Sequence, residues 1–278
     1  MHPTNCLNCG TILTADDKFC PTCGQKTDIH RITLKHIFHE FFHSFTHADK
    51  GFLGMIADLA AKPGIVAREY VAGKRKKYFN PFTFFILCLG LLVFTNNIFK
   101  SVAQDQHADP RVLAQLPTEK QKRSYVKLID RVNEGTEIGR HHLNFVFMIP
   151  LPFYALVVWL FFKRRGYNYS EVMVAYMMFL SFATFIMTLF VYTWVGRFQG
   201  QPLYFYGVLG GKLLEIIYTG WALYIFFGFK NKWSIISTSA VCLLNFVLWV
   251  LVVTLALLYY VFRSNTGTVL QKIWQEYF

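Results

Sequence analysis

The chain has 278 residues, of which 54% are hydrophobic and 18% aromatic, and it carries a formal net charge of +12. Soluble domains average roughly 45–50% apolar residues, and here the apolar residues are gathered in several long, nearly uncharged runs. Such runs exclude a purely soluble globular protein. The basic residues flank the runs, which favours membrane orientation and anionic lipid headgroups over nucleic acid as the reason for the positive charge.

The first feature in the chain is a pair of C-x2-C knuckles separated by ten residues: Cys6, Cys9, Cys20 and Cys23. Each knuckle is followed directly by a glycine. Four thiolates at this spacing are typical of a structural zinc ribbon, in which zinc is tetrahedral with Zn–S distances of about 2.3 Å. A redox dithiol would need only one knuckle. Residues 1–27 are too few to bury their own core, so we expect bound Zn²⁺ to stabilise their fold. Cysteines paired for metal binding also indicate a reducing compartment, so we expect the N-terminus to be cytoplasmic.

A stripe of histidines follows, at spacings of three, four and four residues: His36, His39, His43 and His47. On a helix these positions share one face. One interpretation is an amphipathic helix that lies on the membrane or on the spans and carries the histidines on its flank. The other is a second metal site or a pH-sensing surface, which would need a further ligand such as Glu40 or Asp49.

Residues 28–81 are predicted to form cytoplasmic amphipathic and juxtamembrane helices. In residues 51–61 the apolar side chains repeat at helical spacing, and we expect this helix to pack against a second one at residues 65–71. Pro63-Gly64 should end the first of these helices, and Asn80-Pro81 should cap and start the first apolar helix. Between these points a basic collar stands at the membrane border: Lys74, Arg75, Lys76 and Lys77.

These motifs carry a resemblance to a known family. The ribbon, followed by Asp49-Lys50-Gly51-Phe52, Lys62-Pro63-Gly64, Gly73-Lys74-Arg75 and Tyr78-Phe79-Asn80-Pro81, resembles an uncharacterised bacterial family, a domain of unknown function in which a zinc ribbon precedes a multi-span membrane region. The match covers roughly residues 1–100. The resemblance implies a bacterial inner-membrane protein, and it supplies neither an activity nor catalytic residues.

Five membrane spans are predicted, at residues 82–99, 145–162, 172–195, 213–229 and 235–262. Pro150 and Pro152 should kink the second span, and the fourth span has an alternative start near Leu203. The predicted fold class is therefore mainly α: a polytopic helical membrane protein with five transmembrane helices in residues 82–262, a small N-terminal zinc ribbon, amphipathic juxtamembrane helices and a tail at residues 263–278.

Basic residues beside the spans predict a cytoplasmic N-terminus and a periplasmic C-terminus. This orientation puts a long loop, residues 100–143, on the outer side. Thr118 and Gln121 have the spacing of a capping box, so the loop should contain an amphipathic helix that ends at Gly135. That helix would cover either the protein's own spans or a periplasmic partner.

Lys212 and Glu215 lie three residues apart at the head of the predicted fourth span. If the span begins at Leu213, the two charges neutralise each other near the interface; at greater depth they would be a candidate transport pair.

The residues support three hypotheses of function. The favoured one is an interaction or scaffold subunit of a larger membrane complex, whose zinc ribbon docks a cytoplasmic partner. The first alternative is an oligomeric transporter or channel that uses Lys212 and Glu215. The second alternative is a membrane-embedded metal-dependent enzyme that uses the histidine stripe. An enzyme is the least favoured class, because the spans hold no paired carboxylates and no His-Glu-x-x-His motif. The expected partners are membrane lipids and proteins, including further copies of the chain.

Overall fold

The computed structural model of the protein describes residues 4–35, 51–98, 107–195, 198 and 201–262. The histidine stripe and the tail at residues 263–278 lie outside the described residues. The described part is mainly helical and contains no strand, only two isolated antiparallel bridges, Asn5–Ile12 and Phe19–Lys26. The mainly α fold class is confirmed at this level.

Eleven α-helices are numbered here in chain order: α1 Phe52–Ala61, α2 Pro63–Val71, α3 Pro81–Ile98, α4 Pro110–Gln115, α5 Glu119–His141, α6 Leu143–Met148, α7 Pro150–Phe162, α8 Tyr169–Ile186, α9 Thr193–Val195, α10 Pro202–Phe226 and α11 Ser234–Phe262, all within the described residues. A 3-10 turn, Lys163–Arg165, follows α7, and a π-helical segment, Met187–Tyr192, joins α8 to α9. A break at Ile149, directly before Pro150, separates α6 from α7, as the two prolines of this span predict.

Four helical segments of the described chain are long and apolar enough to cross a membrane: Phe145–Arg165, Tyr169–Val191, Pro202–Phe226 and Ser234–Phe262. They correspond to the second to fifth predicted spans. The predicted first span corresponds to α3, which is apolar but shorter than these four. Five spans are therefore not confirmed, whereas a mainly helical protein with four candidate membrane-spanning helices in the described residues is.

Helix α8 is the centre of the bundle. It packs against α3, α7, α10 and α2, and 72% of its most apolar window is buried, compared with 17% for α11. Its buried side chains, including Met177, Met178 and Phe179, belong to one continuous core that also takes in Phe84 of α3 and Phe226 of α10. Helix α11 thus presents most of its apolar surface outward, as expected of a helix that faces lipid.

Local sequence signals position the helix starts. The Asn80 side chain accepts hydrogen bonds from the backbone N–H groups of Phe82 and Thr83, at 2.8 and 3.3 Å, which confirms the cap that starts α3. Thr118 and Gln121 form the predicted capping box at the start of α5. A second capping box, Asn168 with Glu171, starts α8.

One predicted boundary is wrong, and for another the alternative is correct. Gly135 does not end the predicted loop helix, because α5 continues to His141 and Gly135 instead lies against Leu257 of α11. The helix of the fourth span begins at Pro202, which agrees with the alternative start near Leu203 and not with a start at Leu213. The charged and glycine residues around position 212 lower the local hydropathy, which hides the first turns of the helix from a sequence window.

The two juxtamembrane helices pack against each other and against the bundle. The Tyr218 hydroxyl of α10 donates to the carbonyl of Leu59 at the end of α1, at 3.0 Å. A Cβ atom placed on Gly64 of α2 would lie 2.5 Å from the backbone nitrogen of Phe226 and 2.6 Å from the carbonyl oxygen of Ala222. The absence of a side chain at Gly64 is therefore what allows α2 to contact the backbone of α10.

Candidate functional sites

The four cysteines of the N-terminal region lie together, with all four sulfur atoms within 4.8 Å of one another. The shortest separations, Cys6 to Cys23 and Cys9 to Cys20, are 3.6 Å each. Tetrahedral coordination with metal–sulfur bonds of about 2.3 Å would place the sulfur atoms about 3.8 Å apart. The donor set and its spacing are therefore compatible with a bound metal ion. We call residues 4–27 the four-cysteine module.

The two knuckles of the module repeat one hydrogen-bond pattern. Gly10 N–H donates to the carbonyl of Cys6, and Gly24 N–H donates to the carbonyl of Cys20, both at 2.8 Å. Both glycines have positive φ, +80° and +70°, a conformation that other residues rarely adopt. Each knuckle therefore closes in a tight turn at its glycine.

The module is fixed to the juxtamembrane loop that follows α2. The Gln25 side chain, which is buried, accepts a hydrogen bond from the backbone N–H of Lys76 at 2.9 Å. The Arg75 guanidinium donates to the carbonyl of His30 at 2.8 Å. Gly73, at φ +110°, leaves room for Leu7 and Ile29, whose side chains would lie only 3.0 and 3.1 Å from a Cβ atom there.

A second attachment joins the segment after the module to the start of α8. The Arg31 guanidinium makes two hydrogen bonds to the Glu171 carboxylate, at 2.7 and 2.6 Å, and a third to the carbonyl of Gly166. The Glu171 side chain is 3% exposed. Asn168 adds a bond from its side-chain amide to the carbonyl of Ile32. The residues of the α8 capping box therefore also hold the N-terminal segment.

Glu69, near the end of α2, is the centre of a cluster of cations and one phenol. Its carboxylate accepts from the ammonium groups of Lys74 and Lys77, at 2.9 and 2.7 Å, and from the Tyr78 hydroxyl at 2.5 Å. The hydrogen bonds from Lys77, Tyr78 and Lys74 lower the pKa of Glu69 to about 2. Burial and the neighbouring Glu69 carboxylate raise the pKa of Tyr78 to about 12.

The four residues of the basic collar therefore differ in their surroundings. Lys74 and Lys77 are paired with Glu69, and Arg75 contacts the segment after the module. Lys76 is exposed. A contact between the collar and lipid headgroups stays a prediction, and the structure adds that three of the four side chains also bind protein groups.

The Lys212–Glu215 pair lies well inside its helix, in agreement with the deeper of the two positions that the sequence left open. Since α10 begins at Pro202, Lys212 is about 15 Å along the helix. The Lys212 ammonium is 2.8 Å from the Glu215 carboxylate, and the two side chains are 22% and 13% exposed. The mid-span position makes this pair a candidate functional site.

A cavity of about 20 Å³ lies beside this pair. All four long helical segments contribute polar side chains to its lining: Tyr154, Tyr176, Lys212, Glu215, Thr219, Cys242 and Asn245. A single water molecule needs roughly 10–15 Å³, so the cavity has room for about one. Asn245 is 1% exposed, and its amide donates to the carbonyl of Tyr154, at 3.2 Å. Its side-chain oxygen accepts no hydrogen bond from the described residues.

Three residues that hold the N-terminal region, Gln25, Arg31 and Glu171, are not among the candidate site residues that the sequence predicts. One signal was available, because Asn168 and Glu171 have the spacing of a capping box directly before an apolar run. Gln25 and Arg31 carry no such signal, since their partners lie 51 and 140 residues away.

Long apolar helices, a four-cysteine module and a polar cluster at mid-span together define a polytopic helical membrane protein with a metal-compatible N-terminal module. Residues 49–93 match the model of a family described as a protein of unknown function (DUF3667). This match confirms the resemblance to an uncharacterised family, over α1, α2, the collar and the first part of α3. No curated protein and no solved structure matches the chain.

Proposed function

We propose that the protein is an interaction or scaffold subunit of a bacterial inner-membrane complex, in which the four-cysteine module binds one zinc ion and presents a docking surface to a cytoplasmic protein. The observation that carries the proposal is the fixed position of the module. A hydrogen bond that Gln25 accepts from Lys76 N–H, and bonds that Arg75 and Arg31 donate, attach it and the segment after it to the juxtamembrane loop and to α8. A module attached in this way holds any bound partner at a defined place above the helices.

The surface that would receive the partner carries two large apolar side chains that are mostly exposed. Ile12 is 80% exposed and Phe19 is 60% exposed. Each belongs to one knuckle, at an isolated bridge that closes it. Exposed aromatic and aliphatic side chains on a rigid support are typical anchors of protein interfaces. The expected partner is therefore a protein that offers an apolar pocket, and it is not a nucleic acid.

The chemistry of the module fits zinc in a structural role. All four ligands are thiols, so a tetrahedral ion would have no open position for a substrate. Bound zinc would hold the two knuckles together, and Gly10 and Gly24 would orient the thiolates. Metal analysis of the purified protein should give about one zinc per chain, and Cys9→Ser should reduce that value. A value of two would indicate that the histidine stripe also binds metal.

Orientation and the number of spans belong to the same proposal. The module, the start of α3, the start of α8 and the end of α10 lie at one end of the bundle. This end also carries the basic residues that follow α7 and α10, including Arg165 and Lys230. By the positive-inside rule it is cytoplasmic. We propose that α3 is the first of five spans and that the C-terminus is periplasmic.

The two alternatives receive less support. A permeation path would need a water-filled passage to Lys212 and Glu215, whereas the cavity beside them has room for about one water molecule. The metal-dependent enzyme would use residues 36–47, which lie outside the described residues.

The test is co-purification in a mild detergent of a tagged protein with its native partners, identified by mass spectrometry. Replacing both anchors, Ile12→Ser with Phe19→Ser, should remove the partner while zinc content stays at about one per chain. A matched control replaces two exposed apolar side chains on the other end of the bundle, Val112→Ser with Ile138→Ser, and should keep the partner. If both double variants retain the same proteins, or if the wild type purifies alone, the proposal is wrong.

A further inference from the structure

A cavity of about 330 Å³ lies between the four-cysteine module and the juxtamembrane loop. Its lining comes from two separate segments of the chain, residues 24–30 and residues 70–80. Small-ligand pockets usually have about 300–1,000 Å³. The cavity is therefore large enough for a small ligand or for a headgroup.

The charges that line this cavity favour an anion. Three cations face it, Lys26, Arg75 and Lys76, against a single carboxylate, Asp28. The Asp28 carboxylate is already in contact with His30, at 3.0 Å. Lys26 and Lys76 form no ion pair with a described residue. The nearby Lys74 and Lys77, by contrast, are both paired with Glu69.

The two sides of the cavity are held in register by hydrogen bonds. Gln25, which directly precedes Lys26, accepts from the backbone N–H of Lys76. The bond from Arg75 to the carbonyl of His30 joins the same two segments. The two segments that carry the cations are thus connected before any ligand arrives, and this preorganisation lowers the cost of binding.

The cavity also lies where the chain meets the first apolar helix. Asn80 belongs to its lining and caps α3, which begins at Pro81. A phosphate group on the surface of a membrane would therefore be within reach of the same cations that line the cavity. Lysine and arginine side chains are the usual ligands of phosphate oxygens, arginine through its two-pronged geometry and lysine as a point charge.

We propose that this cavity is a binding site for a phosphate group, with Lys26, Arg75 and Lys76 as its ligands. Two sources supply that chemistry: the headgroup of an anionic phospholipid, and a soluble phosphate compound. Only the lipid source rests on the cytoplasmic orientation of the proposed function. Neither source depends on the protein partner that docks at Ile12 and Phe19, so the two proposals fail separately.

The test uses the full-length, zinc-loaded protein in detergent and two probes. Native mass spectrometry counts retained phosphatidylglycerol against phosphatidylcholine, and equilibrium dialysis measures binding of radiolabelled inorganic phosphate. Lys26→Gln with Lys76→Gln should lower the affinity roughly 10- to 30-fold, since each lysine beside an anionic group contributes a factor of about 5. Lys26→Arg with Lys76→Arg keeps the charges and should stay within about threefold of the wild type.

The matched control removes two charges elsewhere, Lys18→Gln with Lys232→Gln, both exposed and outside the cavity lining. It should change neither probe by more than about twofold. Selective retention of phosphatidylglycerol that is lost in the glutamine variant identifies the lipid source. Phosphate binding without lipid selectivity, lost in the same variant, identifies the soluble source. If the wild type binds neither probe, or if the glutamine variant matches the control on both, the site does not exist.

Discussion

At the end of the bundle that carries the four-cysteine module, polar contacts join residues far apart in sequence, whereas at the opposite end most of them are local. Arg31 and Glu171, at the module end, are 140 residues apart. At the other end, Lys122 pairs with Glu119 and His141 with Glu137, all within α5. A tertiary exception there is the bond from Arg131 to the carbonyl of Val261, at 3.0 Å. The module end is thus fixed by tertiary bonds that define one arrangement, while the other end depends chiefly on the stability of its own helices.

The largest expected effect comes from the closest backbone contact at the module end. Gly64→Ala would place a Cβ atom 2.5 Å from the nitrogen of Phe226, and backbone atoms have little freedom to move away. We expect a loss of about 3 kcal/mol or more, measured as a lower melting temperature in detergent.

The control for this variant is Gly54→Ala on the neighbouring helix α1, where a Cβ atom meets nothing within 4 Å. That change should stabilise the helix by roughly 0.5–1 kcal/mol. Equal melting temperatures for the two variants would show that α2 does not contact α10 in the way described.

The next effect concerns the buried carboxylate of Glu171. Arg31→Ala leaves this carboxylate, 3% exposed, without its cation, and we expect a cost of roughly 2 kcal/mol. A double-mutant cycle with Glu171→Gln measures the coupling between the two side chains.

The same cycle on the exposed pair of α5, with Lys122→Ala and Glu119→Gln, provides the comparison. Exposed pairs of this kind contribute about 0.2–0.5 kcal/mol. A coupling as small at Arg31 and Glu171 as in α5 would remove the difference between the two ends.

A third effect depends on pH through Glu69. Its pKa is lowered from 4.5 to about 2 in the folded protein, so its contribution is complete above pH 4.5 and is lost as the pH falls from there toward 2. Glu69→Gln should cost roughly 1–2 kcal/mol at neutral pH, since each of its three donors loses a charged acceptor. The melting temperatures of wild type and variant should converge below pH 4.5.

Glu134→Gln, at an exposed position of α5, controls for general effects of acid. This variant protein keeps the four-cysteine module, so any effect of acid on the module is the same in both variants. Its difference from the wild type should stay near zero at neutral pH. A Glu69→Gln difference that persists unchanged at acidic pH would contradict the assignment of the ionised cluster.

The smallest effect is expected at the opposite end. Gly135→Ala would place a Cβ atom 2.7 Å from Cδ1 of Leu257, the far end of a flexible side chain that can rotate away. The cost of that rotation, about 0.5–1.5 kcal/mol, is largely offset by the better helix propensity of alanine. We expect a net change under about 1 kcal/mol in the melting experiment.

Gly139→Ala, where a Cβ atom meets nothing within 4 Å, shows the propensity gain alone. A Gly135→Ala variant that fails to fold would mean that α5 packs against α11 as tightly as α2 packs against α10.

Sequence predicted the features that depend on neighbouring residues. The turns at Gly10 and Gly24 and the caps at Asn80 and Thr118 follow from a few positions each, because capping and tight turns are local. The grouping of the four sulfur atoms followed from the knuckle spacing for the same reason.

The remaining features depend on contacts that no short window contains. The attachment of Arg31 to Glu171 requires the fold itself. The depth of Lys212 stays open in the sequence because the polar turn around it interrupts the hydropathy of α10, although the helix continues through it. Gly135 suggests a helix end because glycine commonly terminates helices, whereas here it allows the approach of Leu257.

The bond between Arg31 and Glu171 also constrains the order in which the protein is made. Ribosomes add about 5–20 residues per second, so Glu171 is synthesised about 7–28 s after Arg31. Throughout that interval the N-terminal segment has been made but its attachment point on α8 has not. The segment after the module can therefore be fixed to the bundle only after the start of α8 has been made, whereas the partner of Gln25 at Lys76 is synthesised much earlier.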